Sequence, residues 1–512
     1  MNDAGQPTGW ARRLNAPVDA ASLAFFRIAF GVIMVWEVLR FFLAGWVDSH
    51  YKEPRFLFTY WPFDFVRPWP GWGLEAHFVV LALAALCVAI GFRYRLAAAV
   101  VFLSITYIFL LDKTRYLNHI YLVCLISFLM ILVPAPRIWS VDARRRGGAS
   151  DATVPAWTIA LLRFQVGVPY FFGGVAKLNY DWLHGEPLRD WLAGRTDFPL
   201  IGPLFTREPV VWAATYGSLL LDLFVPFLLL SARTRVPAFL AAALFHVMNS
   251  RLFGIGIFPW AMIAMTTIFF PPDWPRSVAA AFRERRFGGG VFGFACGASL
   301  VIWLLDLSIV GPVPVLLAGV AGLLVGHYTQ LALGGSAQGE PLLAADRAGS
   351  PLSKGALALL AGWAGAQILI PLRHYVIPGH VHWTEEGHRY AWHMKLRDKD
   401  SRSRFRVRDK ATGRDYSVRL RDFLTSKQIS KMSSRPDMVV QFAHHLEERF
   451  RERGVEEVEV YAQVAVSLNG REPELLLDQD RDLTEIRIPW RPPADWIYPL
   501  TEPLFPEGEE ER

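Results

Sequence analysis

Apolar segments long enough to cross a lipid bilayer recur along the first three quarters of this 512-residue chain. Lipid cannot satisfy open backbone, so such segments form helices of about 20 residues. We therefore predict an α-helical polytopic membrane domain of about 9–11 spans over residues 1–373, followed by a soluble α+β domain over 374–512. The predicted spans are 21–44, 76–92, 96–112, 119–134, 157–178, 209–231, 236–250, 253–270, 291–309, 313–334 and 356–373.

Arginines in the short loops indicate the orientation of these spans. They fall on alternate crossings, at Arg12 and Arg13, Arg93 and Arg95, Arg144–Arg146, Arg233 and Arg235, and Arg283–Arg286. The positive-inside rule makes that side cytoplasmic. We expect a cytoplasmic N-terminal arm (1–20), a cytoplasmic loop at 335–355, and an extracytoplasmic position for 45–75, 112–118, 179–208 and the α+β domain. The net charge of +6 is spread over the loops without a basic stripe, so we expect the lipid bilayer and no nucleic acid as a partner.

The soluble region alternates polar and apolar residues in several places. This pattern predicts strands at Arg389–Arg397, Phe405–Leu420 and Glu457–Leu468, the second interrupted by a turn at Ala411–Gly413, with a helix at Pro436–Arg453. The basic run Lys395–Arg408 is interpreted as a solvated strand face.

One lysine, Lys177, lies near the end of the apolar run 157–178. A charge inside a membrane-length segment is costly and indicates a functional site, although a lysine at a helix end can also extend its ammonium to the interface. Helical side chains lean toward the helix N-terminus, so the stem of Lys177 should lie over Gly173 and Gly174, where a flat ligand could approach the backbone. Because loss of water favours the neutral amine, we predict that Lys177 is a buried base.

Three histidines are predicted at a similar depth, near the outer ends of their spans: His119, His246 and His374. A single such histidine is more often structural than catalytic. The polar, glycine-rich stretch between His246 and Phe258 indicates an interrupted helix, which at membrane depth must line a cavity or pack in protein.

These positions predict one pocket in the outer leaflet. Lys177, His119 and His246 should line it, and the α+β domain should cover it around His374 and Trp383. We expect an apolar lower part, a polar upper part, and a lateral opening lined by Phe, Leu or Trp.

Four longer motifs carry a resemblance: LLDKTRYLNHIYL at 110–122, YFFGGVAKLNYDWLHG at 170–185, FHVMNSRLFGIGIF at 245–258 and WTEEGHRYAWHM at 383–394. In them the chain resembles the vitamin K-dependent gamma-carboxylase family, part of the HTTM (horizontally transferred transmembrane) group. The resemblance implies that Lys177 deprotonates a vitamin K hydroquinone, a reduced menaquinone or phylloquinone. O₂ then adds, the quinone epoxide forms, and this drives carboxylation of a protein or peptide glutamate with CO₂.

The resemblance also implies roles for other residues. Asn118 and His119 would be catalytic, as hydrogen-bond partners of a quinol oxygen or of a developing oxyanion. His246, Asn249 and His374 would bind cofactor or substrate, together with Gly173 and Gly174. No metal is implied.

The chain departs from the animal members of the family. They have a second lysine before the base, where this chain has Ala176, and a long C-terminal extension with cysteines that this sequence does not match. Three hypotheses follow: a carboxylase, a quinol epoxidase or oxidoreductase without peptide carboxylation, and a non-enzymatic membrane scaffold or transporter. The third predicts that Lys177 pairs with Asp181 or Asp222 instead of facing an empty pocket.

Overall fold

The structure, a computed structural model, describes residues 13–148, 153–284, 288–305, 311–333 and 352–505. Within these ranges, eight helices are long and apolar enough to cross a membrane, or nine if Trp274–Arg283 and Gly288–Leu304 form one bent span. Two shorter apolar helices occupy the predicted spans 119–134 and 253–270. Most of the predicted arm (1–20) and loop (335–355) lies outside the described residues.

The helices of the membrane part are α1 Ala21–Leu43, α2 Gly73–Ile90, α3 Tyr94–Leu111, α4 Asn118–Leu132, α5 Val141–Arg145, α6 Ala156–Ala176, α7 Tyr180–Leu183, α8 Leu188–Ala193, α9 Glu208–Leu230, α10 Arg235–Phe253, α11 Phe258–Thr266, α12 Trp274–Arg283, α13 Gly288–Leu304, α14 Val313–Leu333 and α15 Lys354–Leu372. A small antiparallel pair, β1 Pro17–Asp19 and β2 Thr153–Pro155, joins the segments that precede α1 and α6. Large apolar side chains such as Leu83, Leu220 and Phe227 remain exposed on the spans, as expected for surfaces that face lipid.

A buried arginine organises one end of the helix bundle. Arg27 of α1 donates hydrogen bonds to the carbonyls of Ala135 (3.0 Å) and Trp139 (2.6 Å), in the segment after α4. The turn between α2 and α3 passes beside its guanidinium at Gly91, where φ is +66°. A Cβ there would lie 2.9 Å from Arg27 Nη1 and 2.3 Å from Ser140 Cβ, so both the conformation and the space require glycine.

The C-terminal region is α+β, as predicted. It contains α16 Val381–Thr384, β3 Lys399–Asp409, β4 Arg414–Ser417, α17 Ser426–Met432, α18 Pro436–Arg451, β5 Val458–Leu468 and β6 Glu474–Leu475. The strands form one antiparallel sheet in the order β4-β3-β5-β6, with Lys399 opposite Leu468 and Asp409 opposite Val458. Alternate residues of β5 are buried, in a core that also contains Phe442 and Leu446 of α18.

The predicted strand at Arg389–Arg397 is wrong. The segment is irregular, because Tyr390, Trp392 and Lys395 adopt left-handed backbone with φ of +64°, +61° and +52°. The interpretation of Lys395–Arg408 as a solvated face is wrong at its start for the same reason. The strand begins only at Lys399, whose ammonium is buried and donates to Glu385 (3.0 Å).

The two parts of the molecule interlock. Phe58, from the connection between α1 and α2, is fully buried in the core of the α+β domain, while Trp392 and Leu396 belong to the core of the membrane part. Asp437 of α18 accepts hydrogen bonds from Lys113 (2.9 Å) and Arg389 (2.8 Å). Burial alone would raise the pKa of the Asp437 carboxyl, but these two cations overcome it and hold that pKa below its usual value.

A second ion pair joins the segment after α6 to the sheet. Arg471 donates to both carboxylate oxygens of Asp181 at 2.7 Å, and Asn469 donates to the same carboxylate at 2.6 Å. Together with the contacts of Phe58 and Lys113, this pair places the connections after α1, α3 and α6 on the same side as the α+β domain. The grouping of these segments agrees with the arginine pattern. The assignment of that side as extracytoplasmic stays a prediction.

Candidate active site

Lys177 directly follows the last residue of α6 and is only 5% exposed. Its ammonium forms an ion pair with Asp222 of α9 and lies 3.4 Å from the carbonyl oxygen of Ser218, one turn earlier on α9. The rings of Trp182 and Phe245 lie 5.2 and 5.7 Å from it, so aromatic faces cover the cation. The lysine is therefore buried and paired, and does not extend to the interface.

The two glycines before Lys177 have different surroundings. A Cβ on Gly174 would lie 2.7 Å from the backbone nitrogen of Leu223, so this glycine permits close approach of α6 and α9. A Cβ on Gly173 would lie 3.5 Å from Asp222 Oδ2 and 3.3 Å from the Met394 methyl. The missing side chains thus bring Asp222 and its neighbour Leu223 next to the end of α6. Contact of either glycine with a ligand stays a prediction.

A cavity of about 420 Å³ adjoins the ion pair. It is lined by the helices α6 to α11 and the segment between α8 and α9, together with two residues of the α+β domain, Met394 and Lys395. The lining is mostly apolar and aromatic. Its main polar members are Tyr170, Lys177, Ser218, Asp222, His246, Asn249 and Lys395.

His246, in the middle of α10, is 2% exposed and lines this cavity. Its Nε2 is 2.7 Å from the Tyr170 hydroxyl, which is 3.2 Å from the Thr266 hydroxyl. Its Nδ1 is buried without a hydrogen-bond partner among the described residues. If Tyr170 donates to Nε2, the neutral ring carries its proton on Nδ1, which makes His246 an unused donor.

The interrupted helix predicted after His246 is present. Helix α10 ends at Phe253, Gly254 has a φ of +56°, and α11 begins at Phe258. Asn249, one turn beyond His246, also lines the cavity.

His119 lies outside the cavity lining, contrary to the expectation of one shared pocket. The ring of His119 stacks on the ring of Phe258, with centroids 5.7 Å apart. The ring of Phe258 also contacts the ring of His246, with centroids 5.8 Å apart and the two planes nearly perpendicular. Phe258 therefore stands between the two histidines. Similar depth in the membrane brought them close, but the aromatic side chain separates them.

His374 and Trp383 also lie outside the cavity lining, so the expectation that they cover it is wrong. Trp383 is fully buried in the core of the α+β domain. The ring of His374 meets the ring of His393 edge to face at 4.7 Å, and its Nδ1 is 2.8 Å from the carbonyl oxygen of Pro371. The residues that do cover the cavity are Met394 and Lys395.

Asn118 reaches the same segment from the membrane side. Its amide donates to the carbonyl oxygen of His393 (3.0 Å), and its oxygen accepts from the Tyr116 hydroxyl (2.8 Å). Asn118 and His374 thus contact His393, the residue just before Met394 and Lys395. In this structure they hold the cover of the cavity, and a direct contact of either with a ligand stays a prediction.

The motifs did not reveal every residue of the site. The sequence indicates Asp222 only as a possible partner of Lys177, and its pattern predicts a solvated strand at Lys395. Lys395 directly follows the motif at 383–394, and that position was the available signal. A second cavity, of about 550 Å³, lies mainly on the α+β domain and shares no residue with this one. It is lined by Arg419, Arg449 and Arg453 of that domain and by Arg55 of the connection between α1 and α2, among others.

Among the described residues, no group of three or more His, Cys, Asp and Glu side chains could hold a metal ion. A pair of buried histidines is nevertheless present at the junction, the region where the α+β domain meets the membrane part: His382 Nε2 lies 2.8 Å from His393 Nδ1. Burial lowers the pKa of both imidazoles well below the usual value, with smaller contributions from neighbouring groups including Arg397. Both rings are therefore neutral near pH 7.

The fold and the cavity together define a polytopic membrane protein whose buried lysine faces an apolar chamber covered by an α+β domain. Residues 15–274 match the family described as HTTM domain, and residues 353–503 match vitamin K-dependent gamma-carboxylase, lumenal domain. The chain belongs to the vitamin K-dependent gamma-carboxylase family of HTTM membrane proteins. No solved structure matches it. Membership indicates a carboxylase-like enzyme with vitamin K as its cofactor.

Proposed function

We propose that this protein is a vitamin K-dependent gamma-glutamyl carboxylase-like enzyme, with its catalytic site in residues 1–373. The observation that carries the proposal is the position of Lys177. Its ammonium is buried beside Asp222 and lines an apolar cavity of about 420 Å³.

The cavity suits a flat apolar ring with polar substituents. Its volume falls within the range of about 300–1,000 Å³ that is typical of small-molecule sites. The unpartnered Nδ1 of His246 is a buried polar atom available to a ligand oxygen. Lys177, His246 and Asn249 would hold the ring. When bound, a vitamin K hydroquinone supplies, by reaction with O₂, the strong base needed to remove a glutamate γ-proton before CO₂ adds.

Asp222 gives Lys177 a route to its basic form. As an ion pair, the ammonium cannot accept a proton. Transfer of one proton from Lys177 to Asp222 yields a neutral amine and a neutral acid, which an apolar cavity tolerates better than two separated charges. The neutral amine can then accept a proton from a hydroxyl group in the cavity, while Trp182 and Phe245 keep water away from it.

The tail of a membrane quinol needs a lateral path. Besides Lys395 of the α+β domain, four lining residues are exposed, all of them in the membrane part: Ile201, Ala213, Gly217 and Met248. They lie on α9, on α10 and in the segment before α9, and none of them is a Phe, Leu or Trp, the types expected there. We infer that the quinol enters from the bilayer between α9 and α10, and that a glutamate-bearing peptide enters from the extracytoplasmic side.

The alternatives differ in what they require of Lys177. A scaffold or transporter predicted a pair with a carboxylate instead of an empty pocket, whereas the described residues have both the pair and the cavity. The cavity favours the enzyme. A quinol epoxidase without peptide carboxylation would use the same cavity and differ only in its second substrate.

Mass spectrometry of quinone products tests the proposal. Full-length protein in lipid nanodiscs is supplied with a reduced menaquinone, O₂, bicarbonate and a glutamate-containing peptide. We expect the quinone epoxide and a peptide heavier by one CO₂. Epoxide without peptide carboxylation would favour the epoxidase, and no epoxide would overturn both enzymatic hypotheses.

A further inference from the structure

Lys395 differs from Lys177 in having no carboxylate at ion-pair distance among the described residues, although Asp398, three positions on, acts on its charge from farther away. Within the part of the chain that the structure describes, Lys395 forms no ion pair, although it belongs to the cavity wall. Its ammonium lies 5.1 Å from the ring of Trp191 and 5.0 Å from the ring of Phe253. These aromatic faces support the cation without neutralising it.

The backbone fixes Lys395 at this place. Its φ of +52° belongs to the left-handed region, which is uncommon for a residue with a side chain. Two positions earlier, the carbonyl of His393 accepts the hydrogen bond from Asn118. The segment His393–Lys395 is thus attached to the membrane part, and a backbone turn brings Met394 and Lys395 to the edge of the cavity.

The position of Lys395 is that of an entrance residue. It lines the cavity and is also exposed, so its ammonium can reach both water and the interior. Lys177, by contrast, is buried against Asp222. An anion that comes from the aqueous side therefore meets an unpaired cation first, and a carboxylate is a suitable partner for a lysine ammonium.

From this geometry we propose that Lys395 binds the side-chain carboxylate of the glutamyl substrate at the mouth of the Lys177 cavity. The inference rests on the proposed function, because it assigns the second substrate to that site. Lys395 acts by placing the carboxylate, with the γ-carbon directed inward, and takes no part in proton transfer. Specificity for glutamate over glutamine follows, since a neutral amide gains much less from the cation.

Direct binding tests this subsite without requiring turnover. A fluorescent peptide with one glutamate, and the same peptide with glutamine, are titrated onto full-length protein in nanodiscs. We expect wild type to bind the glutamate peptide about tenfold more tightly, which corresponds to about 1.4 kcal/mol. Lys395→Met should remove this preference and Lys395→Arg should keep most of it. Lys410→Met, which removes an exposed lysine of the same domain, should change nothing.

Equal affinity of wild type for the two peptides, or no measurable binding, would overturn the proposal. A preference that survives in Lys395→Met would also overturn it. So would loss of the preference in Arg449→Met, because the peptide would then occupy the arginine-lined cavity of the α+β domain. Epoxide is measured on the same samples. A glutamate preference that depends on Lys395, in a protein that makes no epoxide, would refute the proposed function and leave the subsite standing.

Discussion

Two buried ion pairs follow each other closely around the end of α6, and their surroundings differ. Asp181 is enclosed: both of its oxygens accept hydrogen bonds from Arg471, and Asn469 adds another. Asp222 pairs with Lys177 beside a cavity. The first carboxylate has every partner fixed by the fold, whereas the second faces space where a ligand can change its partner.

This difference indicates that the enclosed pair stabilises the fold, whereas the pair beside the cavity can take part in chemistry. Removing one partner from an enclosed pair leaves an uncompensated charge that the protein cannot solvate. Beside a cavity, the remaining group can lose its charge, recruit water or contact a ligand. Substitution of Asp181 should therefore mainly lower the stability of the protein, whereas substitution of Asp222 should mainly lower its enzymatic activity.

Substitution of Lys177 should have the largest effect on enzymatic activity. We expect Lys177→Ala to lower epoxide formation by at least about 100-fold, the lower limit for loss of a general base. Lys177→Arg should not restore it, because a guanidinium cannot accept a proton near neutral pH. Turnover is measured with a reduced menaquinone, and Lys410→Ala is the control for loss of a lysine. Wild-type turnover in the arginine variant would refute the assignment of Lys177 as the base.

Asp181→Asn should produce the largest loss of stability. Arg471 would keep its charge in a buried site, and we expect a cost of about 3–5 kcal/mol in the free energy of unfolding. Limited proteolysis should then release fragments of the α+β domain. Asp197→Asn is the matched control, because that carboxylate is 65% exposed in its pair with Arg195 and its loss should be nearly neutral. Equal stability of the two variants would show that the enclosed pair does not hold the junction.

Asp222→Asn should have the opposite result, with a large loss of turnover and a small loss of stability. We expect it to lower turnover by about tenfold or more, since Lys177 loses the group that takes its proton. Its loss of stability should be smaller than that of Asp181→Asn, because Lys177 can become neutral or meet water in the cavity. A thermal shift and an epoxide assay on both variants measure the two effects. A variant at Asp222 that is less stable than Asp181→Asn but fully active would contradict the comparison.

Acid should weaken the junction before it affects the carboxylate pairs. His382 and His393 are buried and neutral, with pKa values well below the value of about 6.5 expected for the unfolded chain. Between the folded and unfolded pKa values, the unfolded state binds more protons than the folded state. The contribution of the two neutral histidines to the free energy of unfolding is therefore fully present above about pH 6.5 and is lost as the pH falls below that value. Unfolding temperatures measured across this range check the prediction. The double variant His382→Gln and His393→Gln should flatten the profile, and an unchanged slope would exclude this pair as the cause.

The smallest effect is expected at the lateral opening. Gly217 lines the cavity, and a Cβ there would have no neighbour within 4 Å, so Gly217→Leu should fold normally. The added side chain should narrow the path between α9 and α10 and raise the KM for a long-tailed quinol a few-fold, with little change for a short-tailed one. Gly362→Leu, at another uncrowded glycine on α15, is the control. Equal effects on both quinols would place the entrance elsewhere.

The sequence was informative about depth and much less so about direction around each helix. Hydropathy located the spans because lipid admits only helices with satisfied backbone. Depth also brought Lys177, His246 and Asn249 to one cavity. It could not show that Phe258 separates His119 from His246, because that depends on how α4 and α11 are rotated against each other. Alternation failed at 389–397, where left-handed residues such as Tyr390 and Trp392 bend a chain that reads as a strand.

Photolabelling tests most directly whether a quinol binds beside Lys177. A menaquinol analogue with a diazirine on its ring is irradiated with full-length protein in nanodiscs, and the labelled peptides are identified by mass spectrometry. We expect labels on cavity residues of α9 and α10, such as Leu221, Phe245 and Met248, and an excess of unmodified menaquinol should remove them. Labels that compete with menaquinol but lie only outside this cavity would contradict quinol binding beside Lys177.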